Sequence, residues 1–286
     1  MFLSKLSNAQ IEQFKRDGML LVKSVYDPAD IAAIQKEIYQ VIGLVLKQHG
    51  LQDTRRPFAP ETFDDGFNDL IQMNRTLGSV VYDAVKQIPA FIRLLAHPMH
   101  EDLVRQLRPG AIPAFAAGGY GVRIDNPHED KFRTFWHQEY PAQLRSLNGL
   151  VFWSPLVPVT SEFGPVQVCV GSHMEGPLPV FADSAGKLKE GAYSLRLDHE
   201  EKYLHRYPKA SPLSDPTDLI ILDFLVIHAS GYNRAARSRW SMQFRYFDMN
   251  EPVGMSHGWK GSYASGVDFK KIHPELFIET AAEKSK

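Results

Sequence analysis

Arg239-Trp240-Ser241-Met242-Gln243-Phe244-Arg245-Tyr246 alternates polar and apolar residues without a break. Successive side chains on a strand leave opposite faces, so the run predicts a strand over 239–247 with one polar and one apolar face. The apolar set can pack on a core, but the polar set carries two arginines. Buried in a barrel, Arg239 needs an anion to offset its desolvation. Two arrangements meet that need. The guanidinium fork could grip a bound carboxylate, with the Ser241 hydroxyl as a further donor, or it could pair with a protein carboxylate at the surface.

Working outward, the whole segment from Gly110 consists of short β-branched and aromatic runs punctuated by Gly, Pro, Asn and Asp. This predicts further strands at 119–124, 132–137, 147–154, 166–170, 219–222 and 224–228, in antiparallel sheets closing into a sandwich or barrel. Upstream the pattern is helical. Ser7 with Gln10 forms a capping-box signature, and Gly18 marks the end of that helix. A short strand at 19–22 comes next. Asp27-Pro28 opens a second helix, with Ile31, Ile34, Ile38, Val41, Ile42 and Val45 on one face. After an aperiodic loop over about 49–65, short helices are predicted at 67–77, 80–86 and 89–95. No linker separates the two textures. The expectation is one domain over 1–286: a helical part over about 1–109 packed on a β core over about 110–250, then an extension over 251–286 whose tail from Ala281 frays.

Composition supports a folded enzyme-sized domain. The chain has 286 residues, 44% hydrophobic and 23% charged, and 32 basic residues against 33 acidic leave a net charge of -1. So balanced a surface has no long-range field to gather nucleic acid or an acidic membrane, leaving a small molecule as the expected partner. Cys169 is the only cysteine, lies in an apolar run and predicts a buried filler. The amino end lacks the apolar core of a secretory signal. The longest apolar stretch, Leu219 to Ile227, is interrupted by Asp223 and far shorter than the roughly 20 residues of a membrane helix. These features predict a cytoplasmic protein; oligomeric state is not legible.

The chemistry centres on His137 and Glu139. Two positions apart, they would on a strand leave the same face and reach one metal ion. His228, at the end of a later strand, supplies a third donor. Two imidazoles and a carboxylate leave three octahedral positions open, which suits non-haem Fe(II) binding a chelating cosubstrate together with dioxygen. 2-Oxoglutarate would satisfy both ends, its 2-oxo acid on the metal and its distal carboxylate toward Arg239. A solvated or hydrogen-bonded His-x-Glu pair is the plainer alternative.

The His137-Gln138-Glu139 segment, the stretch Trp153 to His173 ending in Val170-Gly171-Ser172-His173, and His228-Ala229-Ser230-Gly231-Tyr232-Asn233 through Arg239 occur in this order. Together with Ser7 to Val22, they resemble the phytanoyl-CoA dioxygenase family of Fe(II)/2-oxoglutarate oxygenases. The resemblance implies a double-stranded β-helix (jelly-roll, cupin-like) barrel with flanking helices, mainly β, and His137, Glu139 and His228 as iron ligands. It further implies that Arg239 holds the distal carboxylate of 2-oxoglutarate, with Ser230, and more weakly Ser241, as supporting donors. His173, Trp153 and Asn233 have sufficient structural explanations as turn and wall residues. Most members of the family carry Asp where this chain has Glu139. Related halogenases lose this carboxylate altogether, so its presence favours hydroxylation, with release of succinate and carbon dioxide.

Substrate contacts are expected from Tyr120, Arg123, Asp125, Asn126 and His128, which precede the metal pair, and from Tyr140, which adjoins it. A small polar, anionic metabolite is favoured over a long acyl-CoA. The rival classes are a metal-dependent isomerase or hydrolase that has no need of Arg239, and a catalytically silent binding barrel.

Overall fold

The computed structural model describes residues 5–182, 195–261 and 269–279; the tail expected to fray lies outside these. Helix α1 (Asn8–Asp17) starts on the predicted capping box: Ser7 Oγ accepts the Gln10 N–H, and Gln10 Oε1 accepts the Ser7 N–H at 2.9 Å. It stops at Gly18, whose φ of +69° is the left-handed conformation that favours glycine. Strand β1 (Met19–Val22) follows. In α2 (Pro28–Gln48), capped by Asp27, the stripe from Ile31 to Val45 is buried, with Val41 half-buried. Helices α3 (Phe67–Met73) and α4 (Arg75–Val85) divide at Asn74 rather than after 77, because the Asn74 side chain accepts the Thr76 N–H and starts a new helix there. Beyond α5 (Pro89–Leu95) stands an unforeseen α6 (Pro98–Leu107), capped by His97 Nδ1 on the Met99 N–H.

The β part comprises β2 (Pro113–Phe115), β3 (Gly121–Asp125), β4 (Leu150–Pro155), β5 (Val166–Cys169), β6 (Val180–Ala182), β7 (Leu195–Leu197), β8 (Lys209–Ala210), β9 (Leu219–Asp223), β10 (His228–Ser230) and β11 (Arg239–Asp248). One antiparallel sheet runs β1-β9-β4-β11-β2, with β3 pairing the first half of β11. A second runs β10-β5-β8, and β6 pairs with β7.

Two predicted strands are corrected. Residues 132–137 contribute only an isolated bridge at His137. Pro141, which cannot donate to a ladder and suits a first helical turn, starts the short helix α7 (Tyr140–Gln143) immediately after Glu139. Over 224–227 the chain turns instead of continuing as a strand. The Asp223 carboxylate accepts the Leu225 N–H at 2.8 Å and its carbonyl accepts the Val226 N–H, so pairing resumes at His228 in the other sheet.

Strand β11 joins the halves. Its apolar face packs on the helical part of the chain, Trp240 against Phe63 in the turn before α3 and Phe67 in that helix, and Phe244 against Phe91 and His100. Burying Phe244 alone contributes roughly 1.5–3 kcal/mol. The Trp240 Nε1–H donates to Asp64 at 2.9 Å, and the Tyr246 hydroxyl donates to the Leu95 carbonyl at 2.6 Å. Cys169 is buried as expected, and burial pushes its thiol up to about 11. No helix among the described residues is long and apolar enough to cross a membrane.

Candidate metal and cosubstrate site

On the other face of β11, Arg239, Gln243 and Arg245 line a cavity of about 390 Å³ that both sheets help to wall. At its floor His137 and His228 form an antiparallel bridge, each donating its backbone N–H to the other's carbonyl at 3.0 and 2.9 Å. Their rings lie 4.3 Å apart between centroids. His137 Nδ1 sits 2.7 Å from the Phe135 carbonyl, and His228 Nδ1 3.0 Å from the Val226 carbonyl. A carbonyl only accepts, so each ring donates from Nδ1–H and turns the Nε2 lone pair toward Glu139.

Glu139 reaches them from the cap position of α7, not from a strand. Its Oε2 lies 3.9 Å from His137 Nε2 and 3.7 Å from His228 Nε2, and ligand atoms of all three residues fall within 4.8 Å of one another. Gln138, between the two, faces away. Its amide donates to the Gly176 and Leu225 carbonyls and accepts the Leu178 N–H, which staples the segment to the barrel.

Electrostatics keep the donors in ligating form. Burial and the neighbouring His228 ring drive the His137 imidazole down to about 3, and burial lowers His228 as well. For Glu139 burial acts upward, but the Arg245 guanidinium and the two imidazoles carry it down to about 2. Two neutral imidazoles beside an ionised carboxylate are what a divalent cation requires.

Arg239 is fully buried and partly paired. Its Nη2 donates to Asp125 Oδ2 at 2.7 Å, and to Ser230 Oγ at 3.4 Å, whereas its Nε and Nη1 have no partner among the described residues. Ser241 Oγ, on the same face of the strand, is buried and equally without a partner among them. Of the two arrangements foreseen for Arg239, pairing with a protein carboxylate is present in part. That carboxylate meets one nitrogen, inside the barrel rather than at the surface, and the remaining donors are buried and unmatched among the described residues. Ser230 Oγ also accepts the Thr134 hydroxyl at 3.0 Å.

Tyr120 and Arg123 line the cavity, but Asn126 and Tyr140 do not. Arg123 is held by Asp125 through Nε and Nη2, and this pairing with two guanidiniums carries the Asp125 carboxyl well below the usual range despite burial. Asn126 bonds Glu129 within its loop and accepts the Ser238 hydroxyl from the residue before β11. The Tyr140 hydroxyl meets His273 Nε2 at 2.7 Å in the C-terminal segment. It follows Glu139 by one residue on a helix and so leaves in a different direction. His128 bonds the Asn233 carbonyl through its backbone, and Asp125 acts through the arginines. Ser172 Oγ accepts the Ile227 N–H at 2.8 Å, beside His228, and His173 Nε2 meets the Lys15 carbonyl, so the Gly171-Ser172-His173 turn is structural. Arg245 and Gln143, which both donate to Glu139, were not foreseen as site residues. Arg245 stands in the β11 alternation, on the polar face with Arg239.

A family model for phytanoyl-CoA dioxygenase (PhyH) matches residues 14–241. Among solved structures the chain is similar to the epimerase SnoN of nogalamycin biosynthesis in complex with Fe3+, alpha ketoglutarate and nogalamycin RO, at 18% identity over 91% of each chain with a TM-score of 0.57. It is also similar to EctD from S. alaskensis with bound Fe, at 18% identity over 85% of this chain and 77% of that one, TM-score 0.56. The carbocyclase SnoK, likewise of nogalamycin biosynthesis, matches at 15% identity over 87% and 86%, TM-score 0.58. Comparison with curated protein sequences finds no match. The shared fold is the jelly-roll expected for the β part, with helices packed outside it.

Proposed function

The chain belongs to the phytanoyl-CoA dioxygenase family, and from that premise we propose that it is a non-haem Fe(II)/2-oxoglutarate-dependent oxygenase that hydroxylates a C–H bond of a small anionic metabolite. His137, Glu139 and His228 would hold the iron, leaving three positions open for ligands. The observation that carries the reading is Arg239, whose buried Nε and Nη1 have no partner among the described residues, in the wall of a cavity that also holds the two imidazoles and the carboxylate; Ser241 Oγ, equally unmatched, follows on the same face of the strand. Buried donors left unmatched cost roughly 1–3 kcal/mol each, more when charged, so a carboxylate ligand accounts for their retention. A metal-dependent isomerase or hydrolase has no use for them.

When bound, iron with its cosubstrate supplies the oxidising chemistry. One dioxygen, one 2-oxoglutarate and one substrate C–H bond give succinate, carbon dioxide and a C–OH bond. The chain's own groups do the rest. The Nδ1–H donors of His137 and His228 fix both rings with Nε2 inward, Arg239 and Ser241 orient the distal carboxylate, and the buried floor limits access of water.

The charge balance of the cavity supports an anionic substrate. Arg123, Lys131, Arg133, Arg239 and Arg245 line it, against the single carboxylate Glu139 among the described lining residues. Asp125, paired with Arg123 and Arg239, and Asp130, paired with Arg133, lie just outside the lining and reduce this excess without abolishing it; a divalent iron and a doubly charged 2-oxoglutarate cancel formally, so net positive charge is left to attract an anion. Tyr82, Tyr120, Phe132 and Trp153 add apolar wall for the body of such a molecule.

Succinate formation by purified protein given Fe(II), ascorbate, oxygen and 2-oxoglutarate tests the reading. Uncoupled turnover is expected with cosubstrate alone, and small carboxylates are expected to stimulate it more than amines or neutral compounds. No succinate across the panel would overturn the proposal, and succinate with an epimerised or cyclised product would overturn hydroxylation alone.

A further inference from the structure

The Glu139 carboxylate is divided between two tasks. Oε2 faces the imidazoles, whereas Oε1 accepts Arg245 Nε at 3.1 Å and Gln143 Nε2 at 3.2 Å. Both donors are themselves held. Arg245 Nη2 donates to Gln243 Oε1 at 2.9 Å, and Gln143 Oε1 accepts Arg145 Nη1 at 2.9 Å, whose Nη2 is fixed on the Ala117 carbonyl at 2.7 Å. Arg245 comes from the first sheet and Gln143 from α7, so the carboxylate is gripped from two separate elements.

Glutamate has one more rotatable bond than aspartate, and a ligand that swings freely loses affinity through the entropy of ordering it. Nothing in the short α7 backbone alone would hold the Glu139 carboxylate beside His228. A guanidinium near a cation site is also electrostatically unfavourable for metal binding, so retaining Arg245 there needs a compensating gain. Positioning supplies it.

We infer that Arg245 is a positioning residue which, with Gln143, reserves Glu139 Oε1 and restricts Glu139 to ligating a metal through Oε2 alone. The inference rests on the proposed metal site. Its role is specific to the longer carboxylate: in Glu139→Asp the shortened side chain draws back from the guanidinium, and the dependence on Arg245 disappears.

The test is equilibrium titration of the metal-free protein with Co(II), followed by its visible ligand-field spectrum, with no turnover involved. Wild type is expected to bind one ion. Arg245→Leu and Arg245→Lys are each expected to weaken binding roughly 10–100-fold, the usual effect of losing a group that orients a ligand. They should also change the Co(II) spectrum, as the released Oε1 joins the coordination. Gln143→Leu should act in the same direction, and serves if the Arg245 variants do not fold. In the Glu139→Asp background, Arg245→Leu should change affinity less than threefold. Unchanged or tighter Co(II) binding by Arg245→Leu and Gln143→Leu, or an Arg245→Leu effect as large in the Glu139→Asp background as in wild type, would overturn the inference. Failure of the metal site itself is distinguishable, because wild type would then bind no Co(II).

Discussion

Arg239 is clamped at one end only: Asp125 takes Nη2 at 2.7 Å, and Nε and Nη1 stay without partners among the described residues of a buried wall. Asp125 also holds Arg123, so one carboxylate sets the orientation of two guanidiniums. Arg239→Ala is expected to raise the KM for 2-oxoglutarate about 10–100-fold, since a hydrogen bond to a charged group contributes ~1.5–3 kcal/mol and each 1.4 kcal/mol is tenfold. Asp125→Asn, which leaves Arg239 chemically intact, should raise the same KM by a smaller factor while sparing metal affinity. Steady-state kinetics with varied 2-oxoglutarate checks both; an unchanged KM in Arg239→Ala contradicts the clamp.

Ser241→Ala removes a single neutral donor from the same face of strand β11. Its expected effect is a rise of about 5-fold in the 2-oxoglutarate KM, from the ~1 kcal/mol of an ordinary hydrogen bond, with stability unchanged or slightly improved because a buried hydroxyl without a partner is lost. Parallel kinetics and thermal unfolding of the variant measure both. A marked loss of stability would mean that the hydroxyl has a structural partner.

His100 gives the fold a defined response to acid. It is buried against Tyr26, Phe152 and Phe244, and burial takes its imidazole down to about 4 from an unfolded value near 6.5. The neutral form is favoured in the folded state, so the unfolded chain binds the extra proton. The stability from this group is therefore fully present above about pH 6.5 and declines as pH falls toward 4, by at most ~3 kcal/mol. Urea unfolding of wild type and His100→Gln should show their difference shrinking across that window as pH falls. His137 and His228 cancel in the comparison, being common to both proteins. A pH-independent difference would contradict the assignment.

Gly18→Ala meets two obstacles. The φ of +69° costs an L-residue roughly 1–2 kcal/mol, and the new Cβ would sit 2.4 Å from His173 Nδ1. Stability should drop by more than the backbone term alone, and adding His173→Ala should restore only the steric part. Chemical denaturation of Gly18→Ala, His173→Ala and the double variant measures this. Full restoration would show that backbone strain contributes nothing.

The strand β11 was legible because alternation is a direct image of strand geometry, and the same holds for α1 and α2, whose caps are local chemistry. The metal trio was legible as residue types but not as geometry. Spacing placed Glu139 on a strand, whereas Pro141 starts a helix there and Glu139 reaches His228 from its cap. Asn126 and Tyr140 were drawn toward the cavity by proximity in sequence, which does not encode side-chain direction at a turn. Helix α6 went unread because histidine is an uncommon cap, although Pro98 behind it was a usable signal. Arg245 was visible in the alternation, but its grip on Glu139 depends on strand β11 passing α7, a tertiary fact.

Adding 2-oxoglutarate to the anaerobic Fe(II)-loaded protein, and watching for a visible charge-transfer absorption, tests the central assignment most directly. The account predicts the band in wild type, its loss in His137→Ala and His228→Ala, and its displacement to higher 2-oxoglutarate concentration in Arg239→Ala. Iron-loaded wild type with no band at saturating 2-oxoglutarate, or an unaltered band in either histidine variant, would contradict it.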